Sequence, residues 1–156
     1  MTINVGDKAP SFTLRASDTQ PITLEDHQGK NVVLLFFPLA FTSVCTAELC
    51  SVSSGLDEYS SLNAEVLGIS VDSPFTLAKF KETEQISFPL LSDFNKEVSR
   101  AYGALYEDFV LDLKGVSKRS AFVIDADGIV KYAEVLDDAG QQPNFAGILE
   151  ALKRLS

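Results

Sequence analysis

The chain holds only two cysteines, Cys45 and Cys50, five positions apart in "FTSVCTAELC" and directly after an apolar run that ends at Phe37. A thiolate is the strongest nucleophile that ordinary side chains supply, so this pair is the first place to look for chemistry. The spacing predicts that both lie on one helix. In an ideal helix, residues i and i+5 stand about 8.6 Å apart at Cα, and disulfides rarely bridge beyond about 7 Å. A Cys45–Cys50 bond therefore needs the first helical turns to unwind, which suits a catalytic cycle and not a static staple. Cys45 falls in the first turn, where unpaired amides and the helix dipole favour an anionic sulfur. Cys50, a turn and a half further in, gets less of that help. Cys45 is thus expected to attack and Cys50 to resolve, with a small buried apolar role as the alternative for Cys50.

Other chemistries find little support. His27 is the only histidine and sits in the polar stretch "EDHQGK", where a solvated loop residue is expected. With no second histidine, a zinc site would need both cysteines plus carboxylates at unsuitable spacing. Nucleophile-elbow, dinucleotide and phosphate-binding glycine motifs are absent. Asp137 and Asp138 are expected to be a solvated loop pair, Glu48 an acid on the exposed face of the helix, and Phe75, Phe80, Phe88 and Phe94 core or interface residues. A net charge of −9 offers no positive surface to a phosphate backbone or an anionic bilayer, which argues against nucleic acid and membrane partners. The longest apolar stretch, 32–41, is interrupted by Pro38 and is too short to span a bilayer. With no secretory signal visible at the N-terminus, the expected location is the cytoplasm, where thiols stay reduced and a cysteine pair is transient or catalytic.

The elements that must position the cysteines follow from periodicity. "NVVLLFF" (31–37) is continuously apolar and β-rich, as a central strand buried on both faces must be. Short β pieces precede it near 11–14 and 22–24. A helix is predicted over 43–61 from the spacing of Val44, Leu49, Val52, Leu56 and Tyr59. "AEVLGISVD" reads as a strand, and Ser73 before Pro74 as a helix opening. "SFPLLSD" is the next strand, and 95–102 a helix stopped by Gly103. Residues to Gly115 show no period. "RSAFVIDADGIVKYAEV" forms two β runs about a turn at Asp127 and Gly128, and "NFAGILEALKRL" closes the chain as an amphipathic helix. No linker or repeat divides the 156 residues, so the expected architecture is one α/β domain of thioredoxin-like kind, a central mixed sheet flanked by helices.

Pro38, Thr42 and Cys45 fall as P-x-x-x-T-x-x-C, and together with Arg119 before "AFVID" they resemble the active-site set of the peroxiredoxins, thiol peroxidases on a thioredoxin fold. "FFPLAFTSVCTAEL", "FPLLSDF" and "AYG" are similar to the AhpE-type one-cysteine branch, whereas a second cysteine five residues after the first is the pattern of the PrxQ, or bacterioferritin comigratory protein, branch. The resemblance implies a peroxidase that reduces hydrogen peroxide and organic hydroperoxides, with peroxynitrite a further candidate, and uses no metal, haem or flavin cofactor. In it Cys45 attacks, Thr42 and Arg119 stabilise the departing oxygen, Pro38 shapes and shields the loop, and Cys50 is the intramolecular resolving candidate; in similar proteins the position of Glu48 can contact the active-site arginine, an alternative to its exposed reading. A thioredoxin-like protein would restore the dithiol. Family members occur as monomers or homodimers, and "PLAF", Phe75 and residues 104–115 are the candidate patch for the latter. Two alternatives stand beside this reading: a one-cysteine peroxidase in which an external thiol resolves Cys45, and a redox-responsive interaction protein whose unwound helix presents Leu49 and Val52.

Overall fold

The structure is a computed structural model that describes residues 3–155. Strand β3 (Asn31–Phe36) is buried at every position, as its unbroken apolar run requires. It lies between two partners, parallel to β4 (Ala64–Ser70) and antiparallel to β8 (Ser120–Ile124). Outward from β4 come β5 (Leu90–Ser92), β1 (Thr13–Ala16) and β2 (Pro21–Thr23), and outward from β8 comes β9 (Val130–Val135), giving the order β2-β1-β5-β4-β3-β8-β9. The parallel β3, β4 and β5 need crossover connections, and helices α1 (Ser43–Ser54) and α3 (Pro74–Glu84) supply them.

Alternate residues of β3 feed two cores. Val33 and Leu35 pack with Leu49 and Val52 of α1, Phe80 of α3, and Ile148 and Leu152 of α5 (Phe145–Arg154). Leu34 and Phe36 point the other way, against Phe122 of β8 and Tyr102, the residue that ends α4 (Glu97–Ala101). The rings of Phe36 and Tyr102 lie 5.4 Å apart, and the Tyr102 hydroxyl donates to the Pro10 carbonyl at 2.7 Å. One strand thus anchors helices on both faces, and its C-terminal end points the chain at the cysteine segment.

The local signals act as anticipated at several ends. Ser73 accepts from the Thr76 amide at 3.1 Å with Pro74 at the first helical position, and Gly103 takes the left-handed backbone (φ 67°) just past α4. Three expectations are corrected. The helix foreseen over 43–61 is two: α1 stops at Ser54, and α2 (Leu56–Ser60) restarts after Gly55, a residue that loses more backbone freedom in a helix than any other. The aperiodic stretch to Gly115 contains β6 (Leu105–Tyr106), which pairs with β7 (Val116–Ser117) across a 3-10 turn at Val110–Asp112; two-residue strands leave no period to read. Of the four phenylalanines expected in the core or at an interface, Phe80 and Phe88 are core, and Phe75 and Phe94 are largely exposed. His27 also sits differently from a free loop residue, with Nε2 2.9 Å from a carboxylate oxygen of Glu65. Among the described residues no helix is long and apolar enough to cross a membrane.

Candidate active site

The site begins where β3 runs out. The Phe37 amide still reaches the Ile69 carbonyl at 2.9 Å, but Pro38 has no N–H and the ladder stops there. The turn that follows is tied down by the Ala40 amide on Asp72 Oδ2 (2.8 Å). Phe41 adopts φ 67°, a conformation that costs a side-chain-bearing residue about 1 kcal/mol. Its ring packs edge-on against Phe80 at 5.1 Å, which holds it there. Thr42 then takes the N-cap position of α1, and Cys45 is the third helical residue. The amides of Ser43, Val44 and Cys45 consequently have no carbonyl one turn earlier to donate to, and this turn is the positive end of the helix dipole.

Arg119, one residue before β8, completes the arrangement. It is 2% exposed, so the side chain is held by the protein rather than by water. Its Nη2 donates to Cys45 Sγ at 3.1 Å, Nη1 to Glu48 Oε1 at 2.6 Å, and Nε to the Ala139 carbonyl at 2.9 Å. All three ends of the guanidinium fork are therefore engaged, and rotation of the group is blocked. Burial works against the Arg119 charge, but the adjacent Cys45 sulfur and Glu48 carboxylate outweigh it and hold the guanidinium more firmly protonated than usual. Glu48 feels the opposite pull: burial outweighs the neighbouring Arg119 charge and hydrogen bond and leaves its carboxyl raised to about 7. Its second oxygen, Oε2, has no hydrogen-bond partner.

A cleft of about 580 Å³ opens over this cluster, lined among others by Pro38, Thr42, Val44, Tyr106, Phe109 and Arg119. The structure thus brings four of the five sequence-predicted residues together: Pro38, Thr42 and Arg119 line the cleft, and Arg119 touches the sulfur of Cys45. Thr42 differs in detail from a free hydroxyl donor. Its O–H is given to the Leu39 carbonyl at 2.8 Å and makes no capping bond to the helix, so toward the cleft the oxygen is left as an acceptor.

Cys50 lies elsewhere. Both thiols are free, and α1 is unbroken between them. The Cys50 sulfur sits 3.9 Å from both the backbone carbonyl and the carboxylate of Glu84, at the end of α3. Partial burial, then the charge and hydrogen bonding of Glu84, push its thiol pKa up, as expected for a poor first nucleophile.

Glu48 takes the arginine-contacting alternative and not the exposed one. It is a fully buried partner of Arg119 rather than an exposed acid; its place three residues after Cys45, on the same helix face, was the available signal. Tyr106, Phe109 and the 137–140 loop were missed as cleft walls because nothing in their spacing links them to Cys45.

Comparison with known proteins gives a consistent result. The AhpC/TSA family matches residues 5–133. The chain is 42% identical over 136 residues to alkyl hydroperoxide reductase E of Mycobacterium tuberculosis, covering 85% of this chain and 86% of that one. It is 40% identical over 146 residues to the chloroplastic 2-cysteine peroxiredoxin of Chattonella marina var. antiqua, covering 86% and 72%. The crystal structure of the peroxidoxin BcpB from Mycobacterium tuberculosis aligns over 99% of both chains, with a TM-score of 0.87 at 29% identity.

Proposed function

The chain belongs to the AhpC/TSA family and is a peroxiredoxin, a thiol-dependent peroxidase, and on that premise we propose that Cys45 is the sulfur that attacks hydrogen peroxide and organic hydroperoxides. The observation that carries this reading is the 3.1 Å contact between Cys45 Sγ and Nη2 of Arg119, a residue that lines the cleft. The thiolate attacks the terminal peroxide oxygen in line with the O–O bond; an S–O bond forms, the O–O bond breaks, and the departing alkoxide or hydroxide takes a proton to leave as alcohol or water. Arg119 and the first-turn amides meet the negative charge that grows on the oxygens. Thr42, with its own proton given to Leu39, accepts from the peroxide O–H and orients it. Pro38 closes the loop side of the cleft and limits water at the sulfenic acid.

In the second half of the cycle α1 unwinds, Cys50 attacks the Cys45 sulfenic sulfur, and water leaves as the disulfide forms. A thioredoxin-like dithiol protein then returns both cysteines to thiols. The whole chain acts as one domain, in the cytoplasm, and draws on no metal, haem or flavin. One observation favours a second reading: Cys50 faces Glu84 across an intact helix, which is where a structural cysteine of a one-cysteine peroxidase would sit, with an external thiol resolving Cys45.

One experiment separates the two. The reduced protein is treated with one equivalent of hydrogen peroxide, its free thiols are alkylated, and the intact mass is recorded. The cycle above predicts loss of two hydrogens and no alkylation. An added oxygen at Cys45 with Cys50 alkylated establishes the one-cysteine route, and two alkylated thiols after seconds of exposure overturn the assignment of Cys45 itself.

A further inference from the structure

The cleft above Cys45 has apolar walls and an acidic mouth. Val44, Tyr106 and Phe109 form the walls, whereas Asp108, Asp137 and Asp138 also line it and are exposed. Lys118 is too weak a counterweight: it lies 3.7 Å from Asp137, with its ammonium over the Tyr106 ring at 5.6 Å. The Arg119 cation at the floor is already divided between the Cys45 sulfur and the Glu48 carboxylate, at 3.1 and 2.6 Å. An approaching anion therefore crosses a negative mouth and finds the buried Arg119 cation shared by two other groups.

We propose that this cleft selects uncharged, apolar hydroperoxides and discriminates against peroxides that carry a negative charge, with Asp108, Asp137 and Asp138 setting that selectivity. The inference rests on Cys45 being the attacking sulfur. An apolar substituent on the leaving oxygen lies against Tyr106 and Phe109, where its removal from water favours binding, and nothing there compensates the lost hydration of a carboxylate. Peroxynitrite anion and carboxylate-bearing hydroperoxides are disfavoured on the same ground. The reaction is unchanged in kind: the S–O bond forms, the O–O bond breaks, and the alkoxide is protonated on leaving.

A matched pair isolates charge from shape: cumene hydroperoxide and its para-carboxylate. Because the chain has no tryptophan, Cys45 oxidation is followed by rapid quench into an alkylating agent and intact mass, and each rate is referenced to the same peroxide reacting with 2-mercaptoethanol. One unit charge about 10 Å away in water changes a rate about twofold. Three acids less one lysine thus predict a preference of about fourfold for the neutral peroxide at low ionic strength, shrinking with salt. The preference should vanish, or turn to about twofold in favour of the anion, when Asp108→Asn, Asp137→Asn and Asp138→Asn are combined and Lys118 is left unopposed. Should that triple variant fold poorly, Asp137→Asn alone, whose side chain is 98% exposed, should reduce the preference about twofold. Equal referenced rates in the native protein, or a preference untouched by salt and by the substitutions, overturn the charge selection while leaving the peroxidase intact. Failure of both peroxides to oxidise Cys45 overturns the peroxidase reading and this one with it.

Discussion

Cys45 and Cys50 share one helix and sit in opposite electrostatic settings. The first is fully buried under a guanidinium whose three nitrogens are all committed; the second is half-buried beside a carboxylate. One end of α1 sets its sulfur against a guanidinium at 3.1 Å, and the other sets its sulfur beside a carboxylate that pushes the thiol pKa up. Such a division suits a sequence of events in which only one thiol meets peroxide. On the proposed cycle, the second becomes reactive when the helix that holds it beside Glu84 is lost.

The largest effect should come from the cation that distinguishes the two. Arg119→Lys keeps a positive charge but not the fork, and one ammonium cannot replace donors spread between Cys45, Glu48 and the Ala139 carbonyl. The second-order rate of Cys45 oxidation by hydrogen peroxide should fall about a hundredfold, the scale of losing preorganised donors at a developing charge. Rapid-quench alkylation measures it, and a decrease of less than about threefold would show that the amides of the first turn suffice.

Much of this asymmetry was legible from residue types alone. The buried β3 run and the helix after it place Cys45 in a first turn without any coordinate, because an apolar strand, a proline and a threonine in that order leave few alternatives. The position of Cys50 relative to Glu84 was not legible: it depends on how far α3 extends before Gln85 takes the left-handed backbone (φ 54°). Arg119 shows the other kind of limit. Taken by itself, an arginine at the start of a strand is usually solvated, and only the family pattern marks it; its burial follows from the approach of α1 to β8, a contact 74 residues apart in sequence. For Glu48 the spacing signals a shared face with Cys45 but not whether that face is covered, and only the resemblance offered the contact with the arginine.

Glu48 offers the next sharpest test, since it ties the Cys45 side of the comparison to pH. Burial raises its carboxyl to about 7 in the folded protein, above its value in the unfolded chain. Between about pH 4.5 and 7 the folded state then binds more protons than the unfolded state, so stability falls as pH rises through that window. Glu48→Gln is neutral throughout and lacks this dependence. The native protein should therefore lose about 5 °C in Tm relative to the variant on going from pH 4.5 to 7.5, a change of roughly 2 kcal/mol on the usual scale for a domain of this size. Thermal melts at intervals across the window measure it. A difference in Tm that stays constant with pH would mean that Glu48 is ionised throughout, with Arg119 fully offsetting its burial.

The smallest effect lies on the Cys50 side. Partial burial and the Glu84 carboxylate together raise its thiol pKa, and Glu84→Gln removes the charge while keeping an amide of similar shape. In a Cys45→Ser background, alkylation of Cys50 by iodoacetamide at pH 8 should then speed up about threefold, because the thiolate is the reacting form and one nearby charge in a partly exposed setting is worth only a fraction of a pKa unit or a little more. The direction is what matters for the comparison. Faster alkylation means that Glu84 restrains Cys50 while α1 is folded, so release from that carboxylate is part of what unwinding accomplishes. An unchanged rate would place the restraint in burial alone, and the two ends of the helix would then differ by exposure to solvent and not by the sign of the charge beside each sulfur.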